Sequence, residues 1–491
     1  MKQLLILVLR IIEKDIKRMK IKYWSLILLV TVSFSCKKLT EIYPKDEANT
    51  TNNTTNPNAD VNSWIYDQMK SYYLWENQMT AKTASNNKLA PDDYFESILV
   101  KPGDLDRFSW IQEDVAALTA SLQGINKVVG VRFTPFYSNT EKTKVALSVA
   151  YSLKGSPADK AGIKRGDFIV KVNGQELTSE NYSAAFSADN LKFTLGDYNG
   201  SEIIANSKTV DVVKAEVQTN PIQHYSIIEK GTKKIGYLVY LQFLTQFDAD
   251  IRNVFKEFKS KGVNELVLDL RYNGGGYISS SDIISSLIVK NLKPGSLMSR
   301  QEWNTELTAA YKSKYGNDVF DTKWLNESNN LGTLNRVFIL TSKGSASASE
   351  LVINNLKPFM DVILIGDNTY GKNVGSITLS DDKKRWKWGM QPIVLRTVNA
   401  LGQSDYGTKD GFTPNFKVAD NAIPFMQFGD VNETLLSVAI QQITGVTASS
   451  SNANARIKGI RKVDILNSTY PLENSKHEIR DMYIDKLPGQ K

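Results

Sequence analysis

The sequence predicts a multidomain α/β protein with a layered core. Three observations predict it. Strand-like apolar runs alternate with amphipathic helical runs from Lys234 to about residue 366. A small-residue loop, Gly344 to Ser349, separates one such strand from one such helix. Upstream, short strands and glycine turns follow an aromatic helical stretch.

The chain begins with a leader. Residues 26 to 35 are apolar or small, follow Lys20 and Lys22, and end at Ser33-Phe34-Ser35-Cys36, the pattern of a secretory signal over residues 1–35. Counted from Met19 the leader has a more typical length. The apolar run Tyr23 to Phe34 is 12 residues, short of the roughly 20 that span a bilayer. Residues 36–60 form a tether, since Asp46 to Asp60 is rich in Asn and Thr without apolar periodicity. Residues 61–125 form a helical domain, with Trp64, Ile65, Met69, Tyr72, Tyr73 and Trp75 as its aromatic core stripe. In residues 126–216 the runs Val128 to Phe133 and Val145 to Val149 read as strands, and Asn173-Gly174 as a hairpin turn.

Residues 217–445 form the core. Its first strand is Lys234 to Leu241, and Ile251, Val254, Phe255 and Phe258 then keep the i, i+3, i+4, i+7 rule of a helix. Leu266 to Leu270 leads into Gly274-Gly275-Gly276. Val337 to Leu340 precedes the small-residue loop, Leu351, Val352, Ile353 and Leu356 mark the helix after it, and Val362 to Ile365 brings the chain to Gly371-Lys372. Residues 446–491 are a polar tail.

Composition excludes several chemistries. Five of the eight net positive charges lie in residues 1–35, leaving +3 on the rest, which with no basic patch interleaved with aromatics speaks against nucleic acid. Two histidines, His224 and His477, give a Ser-His-Asp triad or a histidine-rich metal site little material. Nucleotide-binding glycine patterns are absent and no cofactor or metal is expected. Cys36 is the only cysteine, so no intrachain disulfide forms. What remains is a hydroxyl at a helix N-terminus, where unpaired N–H groups face developing negative charge. A lysine follows it in sequence. An amine in water has a pKa near 10.4 and serves as a base only when desolvated.

The segment Ser345-Ala346-Ser347-Ala348-Ser349-Glu350, with Gly371-Lys372 after it, resembles the carboxyl-terminal processing, or tail-specific, proteases. So does Asp269-Leu270-Arg271-Tyr272-Asn273-Gly274-Gly275-Gly276, and the block Gly155 to Gly174 resembles a PDZ domain. Together the similarity covers roughly residues 60 to 445. It implies a ClpP/crotonase-like layered α/β protease core with an inserted PDZ-like β domain and a helical N-terminal region. It also implies Ser347 as nucleophile, Lys372 as base, and the N–H groups of Ala348 and Gly275 as oxyanion donors. Where better-studied members carry a glutamine that orients the lysine, this chain has Ser376, with Asn373 as another candidate. Gly130, Val131, Arg132 and Phe133 stand where a PDZ strand captures a peptide carboxylate. Asp410 to Asn415 resembles the family's closing turn, with Asn415 in place of Asp.

The expected activity is thus a serine endopeptidase cleaving proteins or peptides with accessible C-terminal tails. The alternative is a catalytically silent lipoprotein that binds peptides or a hydrophobic ligand on the same fold. No paired-carboxylate motif supports polysaccharide chemistry. Cys36 resembles a bacterial lipobox cysteine, implying a lipid anchor in the cell envelope. Lys37 and Lys38 favour the outer membrane facing the periplasm by analogy with lipoprotein sorting.

Overall fold

The structure is a computed structural model that describes residues 58–83, 86–199, 201–445, 461–463, 465–466, 482–484 and 487–489. The leader, Cys36, most of the tether and His477 lie outside the described residues. Among those described, no helix is long and apolar enough to cross a membrane.

The aromatic stripe forms α1 (Ala59–Tyr72), which buries Trp64, Ile65, Met69 and Tyr72. Helices α2 (Pro91–Ser97) and α3 (Val115–Leu122) complete the N-terminal region. A buried tie fixes the loop between them. The Tyr73 hydroxyl donates to Asp106 Oδ2 at 2.6 Å, while Asp106 Oδ1 accepts the N–H groups of Phe108 and Ser109 at 3.0 and 2.9 Å. This turn aims Arg107 and Phe108 at the core.

The PDZ-like region is an antiparallel sheet in sequential order: β1 (Val131–Tyr137), β2 (Val145–Ser152), β3 (Phe168–Val172), β4 (Asn190–Tyr198) and β5 (Ile203–Val213). Asn173 and Gly174 both take positive φ, +53° and +78°, as the hairpin turn read from sequence requires. Phe133, Ile169, Phe186 and Phe193 fill its interior.

The core opens with the hairpin β6 (Ile222–Lys230) and β7 (Lys233–Tyr240). There follow α4 (Asp248–Ser260), β8 (Glu265–Asp269), β9 (Gly276–Tyr277), α5 (Ile278–Ile288), β10 (Leu297–Trp303), β11 (Asp321–Lys323), β12 (Arg336–Thr341) and α6 (Ala348–Leu356). Then come β13 (Asp361–Gly366), β14 (Val374–Ser376), β15 (Ile393–Asn399), β16 (Phe416–Lys417), α7 (Thr434–Thr444) and, near the C-terminus, β17 (Met482–Tyr483). One sheet runs β6-β7-β8-β12-β13-β16 and is parallel from β7 onward. A second runs β9-β17-β14-β15-β10-β11.

The first sheet is buried on both faces, which explains its unbroken apolar strands. Leu266 and Leu268 of β8, with Val337 and Ile339 of β12, pack beside α4, α5 and α6. Val267, Phe338 and Leu340 point the other way, onto Leu435, Leu436 and Ile440 of α7. Because β8, β12 and β13 are adjacent and parallel, the loops leaving their C-terminal ends converge at one edge. Those loops are the glycine segment, the serine loop and the lysine loop.

A buried ionic cluster attaches the PDZ-like sheet to this core. Arg271 binds Asp269 (2.8 Å), Glu433 (2.7 Å) and Asp420 (3.0 Å), and Arg165 of the PDZ-like region reaches the same Glu433 at 3.2 Å. Arg165 also donates to the carbonyls of Met426 and Ala150 and lies over the rings of Phe425 and Phe428. Burial pushes the Glu433 carboxyl up, but Arg271 and Arg165 outweigh it and hold the pKa down at about 2. Removing one partner of a buried pair strands the hydrogen-bonding groups left behind. Arg165→Ala is therefore expected to cost about 3 kcal/mol of stability, read by urea unfolding; a change under about 0.5 kcal/mol would show that the cluster does not anchor the sheet.

Candidate active site

Ser347 occupies the N-cap of α6 with φ +66° and ψ −113°. A non-glycine residue held in this region costs on the order of 1–3 kcal/mol, and such positions cluster at functional sites. The surrounding loop imposes it. Ala346 N–H donates to Asn273 C=O at 3.1 Å, the Ser349 hydroxyl reaches the same carbonyl at 2.9 Å, and Ser345 Oγ donates to Leu270 C=O at 2.8 Å. The serine loop is thereby bound to the glycine segment. Ser347 Oγ is buried and has no hydrogen-bond partner among the described residues.

Glu350 connects serine to lysine. Its Oε2 accepts the backbone N–H of Ser347 at 2.8 Å and that of Lys372 at 2.9 Å. Its Oε1 accepts Gly371 N–H at 2.7 Å and the Thr369 hydroxyl at 2.5 Å. One carboxylate oxygen thus joins the main chain of the nucleophile candidate to that of the base candidate, 25 positions later in sequence. Gly371 is required for this approach. It takes φ +90°, and a Cβ there would stand 1.6 Å from the Thr408 carbonyl oxygen. Asn415 serves the neighbouring strand, its Oδ1 accepting Leu364 N–H at 2.8 Å.

Lys372 has no exposed surface, and its Nζ lies 4.8 Å from the centre of the Phe108 ring. Arg107 donates to the Gly371 carbonyl, and Phe108 packs against Tyr370 with ring centroids 5.9 Å apart. The N-terminal region therefore covers the lysine loop directly. Sequence reading missed this contact, because nothing in the local pattern of Arg107-Phe108 distinguishes a contact across the chain from a surface turn.

The remaining predicted residues divide. The Ala348 N–H, first of its helix, has no acceptor among the described residues. The Gly275 N–H instead donates to Asn273 Oδ1 at 2.9 Å, within a local turn. Ser376 is buried, but its hydroxyl donates to Met482 C=O at 3.4 Å rather than bonding Lys372, because β14 pairs there with β17. Asn373 is likewise engaged elsewhere, with Ser404. The lysine loop is instead positioned by Glu350, by the bond from Tyr370 N–H to Ser345 C=O, and by Arg107 and Phe108.

Gly130, Val131, Arg132 and Phe133 lie at the start of β1, the edge strand of the PDZ-like sheet, and next to the serine loop. A Cβ on Gly344 would lie 3.9 Å from an Arg132 guanidinium nitrogen. Arg132, Tyr272, Lys343, Asp367 and Asp420 line a cavity of about 360 Å³ between this strand and the core. His224 is remote from these groups; its Nε2 lies 3.2 Å from Ser226 Oγ, and burial pushes its pKa down.

Comparison with known proteins bears on the family and the fold. Residues 234–418 match the profile described as peptidase family S41, residues 60–110 the peptidase S41 N-terminal domain, and residues 148–188 a PDZ domain. The chain is 25% identical over 260 residues to a Staphylococcus aureus protein named as a CtpA-like serine protease, covering 52% of this chain and 48% of that one. It is 27% identical over 260 residues to carboxyl-terminal-processing peptidase 3, chloroplastic, of Arabidopsis thaliana, covering 50% and 46%. The chain thus spans about half the length of the curated relatives it matches. A crystal structure from Bacteroides fragilis, ascribed to an S41 protease, shares the fold with a TM-score of 0.67 and 24% identity, over 83% of this chain and 100% of that one. These likenesses agree with the layered α/β protease core, PDZ-like domain and helical N-terminal region expected from sequence.

Glu350 also sets a pH dependence. Burial pushes its carboxyl up to about 7, against the opposing pull of its four hydrogen bonds. Four donors on the two oxygens stabilise the ionised form, but burial outweighs them. An acid whose folded pKa lies above its ordinary 4.5 favours folding while protonated. That contribution is complete below pH 4.5 and lost as pH rises through about 7, roughly 3 kcal/mol in all. Between pH 5 and pH 8 the protein should lose about 2–3 kcal/mol of urea-measured stability relative to Glu350→Gln, which cannot titrate there. A pH-independent difference between the two would contradict the assignment.

Proposed function

The chain belongs to peptidase family S41, and from that premise we propose that it is a serine endopeptidase cutting proteins or peptides near their C-terminal tails. The observation that carries the reading is the strained, unbonded Ser347 hydroxyl at a helix N-terminus, tied through Glu350 to buried Lys372. Ser347 Oγ attacks the scissile carbonyl carbon while Lys372 Nζ takes its proton. The carbonyl oxygen gains negative charge and is met by the Ala348 N–H, joined by Gly275 once that donor exchanges Asn273 for substrate. Collapse of the tetrahedral species breaks the C–N bond, and the proton held on Lys372 passes to the departing amine. Water then attacks the acyl-enzyme, giving a proton to Lys372, and the proton returns to Ser347 as the ester breaks.

The PDZ-like strand β1 is the proposed tail-capture element. Its proximity to the serine loop would convert capture into a near-intramolecular reaction. A second proposal concerns location. The run from Lys20 to Cys36 supports a lipid anchor on Cys36 and a place in the cell envelope, on the outer membrane facing the periplasm.

Ser347→Ala should abolish peptide cleavage and fluorophosphonate labelling, and Lys372→Ala should slow acylation by about 10³-fold or more at neutral pH, both with the fold retained by circular dichroism. Normal turnover in either would exclude that residue's role, and a fully folded protein whose Ser347 never labels would point to the silent binding alternative. Cys36→Ser in the full chain should abolish acyl-chain incorporation and move the protein out of the membrane fraction; unchanged membrane retention would remove the anchor proposal.

A further inference from the structure

The second sheet contains a strand that arrives from far along the chain. Strand β17 is Met482–Tyr483, and it lies between β9 and β14. It pairs in parallel with both, Gly276 opposite Met482, Tyr277 opposite Tyr483, and Ser376 opposite Tyr483. The two flanking strands issue from the catalytic loops. Strand β9 begins one residue after Gly275, and β14 begins two residues after Lys372. The C-terminal segment therefore fills a one-strand slot bounded by the oxyanion loop on one side and the lysine loop on the other.

The slot is specific on both of its chemical axes. Along the main chain, Met482 C=O accepts the Ser376 hydroxyl at 3.4 Å, and Ile484 N–H donates to Ser376 C=O at 3.3 Å. Gly375 leaves room for this: a Cβ there would lie 3.2 Å from Met482 O. Among side chains, Met482 is fully buried. Tyr483 packs edge-on against Tyr277 with centroids 4.4 Å apart, sits with Leu118, Leu122 and Trp110, and donates its hydroxyl to Leu122 C=O. An aromatic residue with a polar tip fits such a pocket.

The same C-terminal tract also touches the PDZ-like sheet. Ile465 bridges Phe136 antiparallel on edge strand β1, and Leu466 N–H donates to Pro135 C=O at 3.0 Å. One stretch of chain thus engages the proposed capture strand and, 16 residues further on, the slot between β9 and β14. Peptides bind sheet edges by adding a strand in this way.

Resting on the peptidase reading, we propose that the C-terminal tract is a tethered pseudosubstrate, with Met482–Tyr483 occupying the peptide slot and Ile465–Leu466 the capture edge until a substrate tail displaces them. The slot's substrate class follows: an extended peptide presenting an apolar residue and then an aromatic one. Burial of both Ser347 and Lys372 accords with an occupied cleft. Tethering sets the effective concentration of the occupant in the millimolar range, so even a weak segment, with an intrinsic Kd near 100 μM, would hold the slot about nine-tenths filled.

The test uses the full chain with Tyr483→Ala and, separately, Ile484→Pro, which removes the N–H donated to Ser376. Both should raise reporter-peptide turnover and Ser347 labelling by about tenfold, with faster hydrogen exchange at Tyr277 and Ser376. Adding a synthetic peptide copying residues 480–488 to Tyr483→Ala should reverse both effects, raising KM for the reporter without lowering kcat, while the same peptide with alanine for tyrosine should not. Unchanged or lower turnover in both folded variants, together with no protection of Tyr277 and Ser376 by the peptide, would overturn the proposal and make β17 a permanent strand of the sheet. The exchange arm separates this from the chemistry. If Ser347 never labels in any variant, the peptidase reading fails, and peptide protection of the slot alone then decides whether the tract is an exchangeable occupant.

Discussion

One buried carboxylate organises this protein. Glu350 accepts donors from three places in the chain: the Ser347 N–H, the Thr369 hydroxyl, and the N–H groups of Gly371 and Lys372. Each contact draws a loop end inward from the C-terminal edge of the parallel sheet. Solvent is excluded, so an unfilled lone pair there would be costly, and all four donors are needed together. The strained Ser347 backbone is tolerable because this carboxylate and the bonds to Asn273 over-determine it. Remove the carboxylate and the two loops keep the bond from Tyr370 N–H to Ser345 C=O, but they lose the group that joins the main chains of Ser347 and Lys372.

The sheet beneath supplies the other half of the geometry. Strands β8, β12 and β13 are neighbours, so three loops far apart in sequence emerge side by side. The Arg271 cluster then locks the first of those strands to α7 and, through Arg165, to the PDZ-like sheet. Strand β1, the proposed capture element, is held in place next to the serine loop rather than hinged away from it. The PDZ-like sheet and the serine loop are consequently parts of one packed unit.

What could be read from the sequence follows a physical division. The core strands were legible because both faces are buried and the runs Leu266 to Leu270 and Val337 to Leu340 are continuously apolar. Helix α4 was legible from Ile251, Val254, Phe255 and Phe258, and the 173–174 turn from its Asn-Gly pair. Ser347 and Lys372 stood out by their motifs, and the structure brings their loops together. Contacts made at long range had no local signature. The glutamate of the serine segment was visible, but its four donors were not. Ser376 was read as a partner of the lysine, yet strand pairing with β17 assigns its hydroxyl to Met482. The tail beyond residue 446 looked merely polar, since two-residue strands such as Met482–Tyr483 are too short to leave a periodicity.

That short strand bears on how a fully buried Ser347 could react on the proposed reading. With the slot empty, β9 and β14 would each present an unpaired edge, and paired N–H and C=O groups would have to find water inside a cleft. A strand must therefore lie there whenever the site is closed, whether it comes from a substrate or from the chain itself. Substrate and tail would make the same backbone hydrogen bonds, so exchanging one for the other changes few main-chain contacts. Selectivity then falls to the side chains, to the Tyr277, Leu118 and Leu122 surroundings and to whatever the PDZ-like edge adds by avidity. On the proposed reading, a cleft arranged in this way stays ordered when no substrate is bound, because the tail completes the sheet between β9 and β14.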